Sequence, residues 1–147
     1  MGIVYDQAKM FIKKYPGSFV FRVKKHSNVI ERHLNPGEKP TFVFVGQKSK
    51  NLFNIGSSCA VAVTDRRILI GKKRIFWGYF LSSITPDLYN DMQVYQGLIW
   101  GKVTIDTVKE EIVISSISKK GLDEIETRIT EFMMQEKKKY QSPDKSE

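Results

Sequence analysis

The sequence predicts a β-rich domain in which seven antiparallel strands form a barrel that one C-terminal helix closes. From residue 41 to residue 115, β-branched and aromatic residues occur in short runs separated by polar or glycine-containing turns, which is typical of an antiparallel meander. After residue 118 the apolar spacing changes to that of an amphipathic helix. At 147 residues the chain is long enough for one domain with its own core.

The N-terminal segment lacks strand alternation and is predicted to be helical. Asp6 is expected to cap a short helix that ends before Pro16. A second helix is predicted from Ser18 to Leu34, because apolar side chains recur on one face at helical spacing. Its apolar face fits packing on the barrel or on a second copy, and also a membrane or partner helix. The run 19–23 equally fits the start of a strand.

The barrel strands follow in chain order. They are predicted at residues 41–46, 60–64, 67–71, 75–82, 88–95, 98–106 and 111–115. The long polar loop after the first strand contains Leu52 and Phe53, and apolar residues on such a loop are candidates for partner contacts. Burial of these two side chains under the loop is the alternative. Gly101 is expected to mark a bend or a close approach in the sixth strand.

The closing helix is predicted at about residues 119–139, with Ser118 as its N-cap. Its apolar stripe includes Ile125 and Ile129, so this face should cover one end of the barrel. The resulting organisation is a helical extension at 1–38, a domain at 39–139 and a flexible tail at 140–147.

Charge and composition narrow the function classes. Residues 1–74 carry 15 basic and 4 acidic side chains, whereas residues 75–147 carry 9 basic and 12 acidic ones. A basic first half indicates either an anionic partner or an excess of charge that keeps the protein soluble. No RNP-type, KH or helix-turn-helix pattern stands out, so nucleic acid is not an expected partner. The chain has neither a secretory signal nor an apolar run that spans a bilayer, and we expect it in the cytoplasm.

Candidate catalytic and metal-binding residues are few. The lone Cys59 has no second cysteine for a disulfide or a CxxC site, and it is expected to be a buried apolar residue. His26 and His33 share one face of the second predicted helix, with Glu31 as the only nearby third ligand. Two solvated histidines are the simpler interpretation. We therefore predict no enzyme, no cofactor and no metal.

Several motifs resemble those of bacterial pleckstrin-homology (PH) domains. The run Val63–Ile68 (VTDRRI) is similar to a hairpin of that family, and the lead-in Leu34–Gly46 resembles the YokE-like type. The segment after the hairpin is also similar, through Ile84, Gly101, Val103 and Ile105. The resemblance covers about residues 34–137 and implies a PH-like seven-stranded barrel and a non-catalytic module. The chain departs from the pattern at Pro86 and in its basic N-terminal extension.

The resemblance also implies where a ligand would bind. In PH domains that bind phosphoinositides, basic side chains lie on the loops at the open end of the barrel, opposite the helix. In this sequence those loops carry Lys48, Lys50, Lys72, Lys73, Arg74 and Lys109. Lysine-rich solvated turns are the alternative, and the full basic signature that leads into the second strand is absent here.

Together these observations predict a non-catalytic binding or scaffold module. We expect it to act through a protein partner or through self-association. Peripheral binding to an anionic membrane surface through the basic rim is the second hypothesis.

Overall fold

The computed structural model describes residues 2–48 and 57–141 of the chain. Two helices precede a sheet of seven strands, and a third helix follows it. The helices are α1 (Ile3–Lys14), α2 (Val23–His33) and α3 (Leu122–Gln141), and the strands are β1 (Pro40–Gln47), β2 (Ser58–Thr64), β3 (Ile68–Lys73), β4 (Tyr79–Ile84), β5 (Tyr89–Gln96), β6 (Trp100–Thr107) and β7 (Glu111–Ser118).

The seven strands form one antiparallel, curled sheet, so the predicted fold class is confirmed. The strand order is β4-β3-β2-β1-β7-β6-β5, which leaves β4 and β5 at the two edges. Among the described residues, β7 pairs with β1 at Gln47 alone, so the two halves of the sheet diverge from that point. This divergence gives the half-barrel its opening beside β1.

Small residues on one face of the sheet allow α2 to pack closely. In the registers of β1, β2 and β3, Ala60 and Gly71 are cross-strand partners, and Ala62 lies two residues along on the same face. A side-chain carbon added at Gly71 would lie 2.7 Å from Cγ1 of Ile30 on α2. The alternation of valine and alanine in β2 therefore places valines in the barrel and alanines under α2.

The C-terminal helix α3 closes the barrel as predicted, but it begins at Leu122 and the expected N-cap at Ser118 is wrong: a short 3-10 turn at 119–121 precedes the helix, and Ser118 Oγ donates to the carbonyl of Pro16 at 2.9 Å. Ile125 and Ile129 are fully buried. A side-chain carbon at Gly101 of β6 would lie only 2.3 Å from Cδ1 of Leu122. The close approach expected at Gly101 is thus present, and it seats the first turn of α3 on β6.

Helix α1 covers the edge of β1 that β7 leaves. The side-chain amide of Gln7 donates to the carbonyl of Pro40 at 3.1 Å. The ring of Phe11 packs against Phe42 and Phe44, with centroids 5.9 and 6.2 Å away. The helix begins at Ile3, after Gly2 as N-cap, so the expected cap at Asp6 is wrong: Asp6 lies in the first turn and makes no cap there.

Helix α2 begins at Val23, five residues later than the periodicity suggested. Residues Gly17–Arg22, here called the crossing segment, form neither helix nor strand: Gly17 has a φ of 116°, and Arg22 adopts a left-handed backbone with φ of 58°. Phe19 N–H donates to the carbonyl of Ser116 at 2.9 Å, and Phe21 N–H donates to Ser58 Oγ at 3.0 Å. Partners on β7 and β2 therefore override the helical pattern of residues 18–22.

A buried ion pair secures the β2–β3 turn. Glu38 accepts hydrogen bonds from Arg67 Nε and Nη2, both at 2.9 Å. It also accepts from Thr64 Oγ1 at 2.7 Å and from the N–H of Asn35 at 2.9 Å. The neighbouring Arg66 reaches the carbonyl of Pro36. Both arginines therefore make contacts that hold the turn to the segment before β1.

Candidate functional site at the mouth of the barrel

The barrel end where β1 leads towards β2 and β3 turns into β4, here called the mouth, brings two of the predicted cations together. The ammonium of Lys48 lies 4.7 Å from the centroid of the Phe80 ring. Phe80 of β4 is the cross-strand partner of Lys72 of β3, so these side chains share one face. One aromatic ring therefore neighbours both lysines.

The electrostatics of the buried Cys59 also indicate that Lys48 and Lys72 lie close together. Burial raises the pKa of its thiol to about 12, while the charges of Lys48 and Lys72 act in the opposite direction. Both ammonium groups are thus close enough to β2 to act on one atom. The thiol stays protonated and unreactive at neutral pH, as expected for a buried apolar residue.

Lys73 lies on the opposite face of β3, towards α2. Its backbone N–H donates to Nδ1 of His26 at 2.8 Å, and its carbonyl accepts from the guanidinium of Arg22 at 3.4 Å. The crossing segment and α2 thereby hold the last residue of β3. The base of the turn that follows is fixed on both sides.

The turn from Arg74 to Gly78, here called the aromatic turn, projects apolar side chains into solvent. The N–H of Arg74 donates to the carbonyl of Gly78 at 3.1 Å, and Gly78 has the positive φ of 83° that such a turn needs. Phe76 is 85% exposed and Trp77 is 80% exposed. Two large aromatic rings therefore stand free beside a cluster of cations.

The sequence prediction of a strand from Ile75 was wrong. β4 begins only at Tyr79, so Ile75, Phe76 and Trp77 belong to the turn. Their β-forming residue types produced the strand prediction. Gly78 lies one residue before the start of β4 and is a local signal of a turn, which the sequence prediction did not use.

The remaining predicted site residues are placed as follows. Lys50, Leu52 and Phe53 lie outside the described residues and stay predictions. Lys109 lies in the β6–β7 turn, whose Val108 N–H donates to the carbonyl of Leu88 at 2.8 Å. The contacts of the described residues do not bring Lys109 to the cations of the mouth.

Both histidines of α2 have protein partners, and His26, which was expected to be solvated, is buried. His26 accepts from Lys73, and Nδ1 of His33 lies 2.7 Å from the carbonyl of Val29. The carboxylate of Glu31 accepts from Val4 N–H at 2.9 Å. Within residues 2–48 and 57–141, no three His, Cys, Asp or Glu side chains gather as a metal-binding group.

A second apolar surface lies at the β5–β6 turn. Leu98 is 88% exposed, and Ile99 and Tyr95 are each 61% exposed. The indole N–H of Trp100 donates to the carbonyl of Gly17 at 2.7 Å, which ties this turn to the start of the crossing segment. Sequence reasoning placed Leu98 and Ile99 in a strand and did not identify this surface.

Comparison with known proteins agrees with the geometry. The family described as "Bacterial PH domain" matches residues 34–131. A pleckstrin homology domain from Shewanella amazonensis SB2B is structurally similar over 83% of this chain and 94% of its own, with 12% identity and a TM-score of 0.45. No curated protein matches the chain. In the part of the chain that the structure describes, no helix is both long and apolar enough to cross a membrane.

Proposed function

We propose, from the premise that the chain belongs to the bacterial PH domain family, that it is a binding module whose mouth docks on anionic membrane surfaces. The single observation that carries this proposal is the aromatic turn. Phe76 and Trp77 are almost fully exposed, and only Ile75 separates them from three consecutive cations, Lys72 to Arg74. Aromatic side chains that extend beyond basic ones match the interface of a bilayer, where charges meet headgroups and rings enter the boundary below them.

The cations supply the attraction to an anionic surface. Each lysine or arginine close to such a surface contributes about 1 kcal/mol. Lys48, Lys72 and Arg74 together with Lys73 would therefore contribute about 4 kcal/mol, or roughly a thousandfold in affinity. This contribution should weaken with added salt, because exposed charges are screened over about 10 Å at 0.1 M ionic strength.

The aromatic rings supply a component that salt does not weaken. Neither ring packs into the core, so their transfer to the bilayer interface leaves the fold intact. The fixed base of the aromatic turn limits the entropy that is lost when the turn docks. The proposal therefore predicts two separable contributions, one electrostatic and one apolar.

Co-sedimentation with vesicles tests the proposal. The protein should pellet with vesicles rich in phosphatidylserine and stay in solution with phosphatidylcholine vesicles. Exchanging Lys72, Lys73 and Arg74 for alanine should reduce binding by about a hundredfold or more. The matched control exchanges Lys137, Lys138 and Lys139 near the end of α3, which removes the same charge and should change binding little.

The apolar contribution has its own matched pair. Phe76→Ala with Trp77→Ala should remove the binding that persists at high salt, whereas Leu98→Ala with Ile99→Ala should not. Equal losses from the two charge variants would mean diffuse attraction without a site. Absence of binding at low salt would refute membrane docking.

Binding of a protein partner, or self-association, is the second candidate function. The exposed Leu98, Ile99 and Tyr95 at the β5–β6 turn favour it, because apolar clusters on a soluble surface mark contact sites. Light scattering distinguishes self-association from a monomer. A dimer that Leu98→Asp converts to monomer would support this candidate, and a monomer that binds vesicles would leave the mouth as the functional surface.

A further inference from the structure

Strand β5 forms one edge of the sheet, and among the described residues it has a neighbouring strand on one side only, β6. The N–H of Gly97 donates to the carbonyl of Trp100 at 2.9 Å, so the odd-numbered residues at this end face β6. Met92 N–H instead reaches the side chain of its own neighbour, Asp91 Oδ1, at 2.8 Å. Because backbone groups alternate along a strand, Met92 and Val94 direct theirs outward, where another strand can pair with them.

The side chains of β5 divide into a core face and a solvent face. Met92 and Val94 are half-buried and pack against the core. Asp91, Gln93 and Tyr95, which alternate with them, are exposed. A strand added at this edge would therefore extend both faces of the sheet, the apolar one beside Met92 and Val94 and the polar one beside Gln93.

The solvent face of β5 and β6 carries charges of opposite sign at its two ends. Asp91 is the cross-strand partner of Asp106, so two carboxylates lie side by side, an arrangement that destabilises a sheet. Further along, Tyr95 is the cross-strand partner of Lys102, whose ammonium lies 5.4 Å from the centroid of the tyrosine ring. In the described part of the chain, neither Asp91 nor Lys102 forms an ion pair. One end of this face is therefore acidic, the other is basic, and both charges are unpaired.

From these features we infer that β5 pairs with β5 of a second copy of this chain, antiparallel and about a two-fold axis at Gln93. In such a pairing the residue on the axis faces itself, and residues equally far from it on either side face each other. Asp91 of one copy is then opposite Tyr95 of the other, beside Lys102. Each copy thus supplies a lysine to the paired carboxylates of the other, and the outward backbone groups of the two strands become partners.

The same register covers an apolar side chain that a single copy exposes. Leu98, just after β5, is 88% exposed, and with the axis at Gln93 it comes close to Leu88 of the other copy, which packs against its core. Moving the axis to the next residue keeps the backbone bonds but sets Asp91 opposite Gly97, away from the lysine. Charge therefore selects one register. The inference goes beyond membrane docking, because it uses no residue of the mouth, and it gives self-association a defined interface.

Oxidative cross-linking of the full chain tests the register. Gln93→Cys sets two thiols face to face on the axis, at a non-hydrogen-bonded pair whose Cα atoms lie about 4.5 Å apart, within reach of a disulfide. This variant should form a covalent dimer under mild oxidation. Gln96→Cys is the matched control on the same exposed edge, because its two copies would lie about 20 Å apart and should not cross-link. The native Cys59 is buried and should not contribute.

Exchange of the charges tests the contact between the copies. Asp91→Lys and Lys102→Asp should each weaken dimerisation by at least about tenfold in analytical ultracentrifugation, and the double variant should restore it. Glu131→Lys, on the exposed side of α3, makes the same change of charge as Asp91→Lys and should have no effect.

Three results would each overturn the inference: a monomer at millimolar protein, equal cross-linking of the two cysteine variants, or a dimer that Asp91→Lys leaves unchanged. A dimer that Leu98→Asp disrupts, but that Gln93→Cys does not cross-link, would also overturn it, because the copies would then meet elsewhere. None of these results bears on the mouth, since vesicle binding tests that surface separately.

Discussion

Replacing Arg67 with alanine should lower the free energy of unfolding by about 3–5 kcal/mol at pH 7, because it leaves the buried carboxylate of Glu38 without its counter-ion. The side chain of Glu38 is fully buried, and that of Arg67 is only 16% exposed. Their two hydrogen bonds of 2.9 Å form the planar, bidentate pairing that arginine favours. The β2–β3 turn and the approach to β1 both depend on this contact.

The pKa of Glu38 gives a second measure of the same effect. Burial alone would raise it, but the hydrogen bonds from Arg67, from the N–H of Asn35 and from Thr64 lower it to about 2. The difference from the usual value of 4.5 corresponds to about 3 kcal/mol of preference for the charged form. Because the folded state has the lower pKa, this stability is present above about pH 4.5 and is lost as the pH falls towards 2.

Urea denaturation at pH 7 and between pH 5 and pH 2 checks both magnitudes. Arg67→Ala should show the full loss at pH 7, while the exposed neighbour Arg66→Ala should cost less than about 0.5 kcal/mol. Glu38→Gln should reduce the dependence on pH below 4.5 by the contribution of Glu38, while Glu124, whose pKa is also lowered, keeps its own contribution. A cost below 1 kcal/mol for Arg67→Ala would show that the pair adds little to the fold and would refute this reasoning.

Three further predictions concern the scaffold. Burial, and then the positive charges of Arg22 and Lys72, lower the pKa of His26 to about 4. The free energy of unfolding should therefore fall by up to about 3 kcal/mol as the pH drops from 6.5 towards 4. Denaturation curves of His26→Asn, which keeps an acceptor for the N–H of Lys73, should lack this fall. Gly101→Ala should lower the free energy of unfolding by about 1–3 kcal/mol, because the added methyl group clashes with Leu122. In the double variant with Leu122→Ala, the loss should be smaller than the sum of the losses in the two single variants. Ile129→Asp should cost more than about 4 kcal/mol in thermal unfolding followed by circular dichroism, since it buries an unpaired charge under α3.

Patterns with a short repeat were predictable from the sequence. The alternation in β2 and β6 identified strands, and the helical stripe through Ile125 and Ile129 identified α3 and its buried face. Gly101 indicated a close approach because a glycine inside a strand gives up packing unless something lies near it. Each of these signals depends on residues that are neighbours in the chain or share one element.

Features that depend on distant partners were not predictable. Residues 18–22 have helical spacing, yet they form no helix, because β7 and β2 offer Ser116 and Ser58 as hydrogen-bond partners. The sequence of the aromatic turn predicts a strand, because its residue types are common in strands. Only the structure shows that these side chains are exposed to solvent. The alanines of β2 carried a usable signal, since small residues on one strand face indicate that a helix packs there.

The mouth could be assembled only in part from sequence. The resemblance identified Lys48 and Lys72 as candidates, and the structure adds Phe80 as the ring that neighbours both. Phe76 and Trp77 were missed, because a residue's exposure at a turn depends on where the next strand begins.

The emission of Trp77 tests membrane docking most directly. In the Trp100→Phe variant Trp77 is the only tryptophan, and its 80% exposure predicts an emission maximum typical of a ring in water. Addition of phosphatidylserine vesicles at low salt should shift this maximum to shorter wavelength and make it sensitive to quenching by brominated acyl chains, whereas phosphatidylcholine vesicles should leave it unchanged. An emission maximum that stays at its value in water while the protein pellets with the vesicles would contradict docking through the mouth.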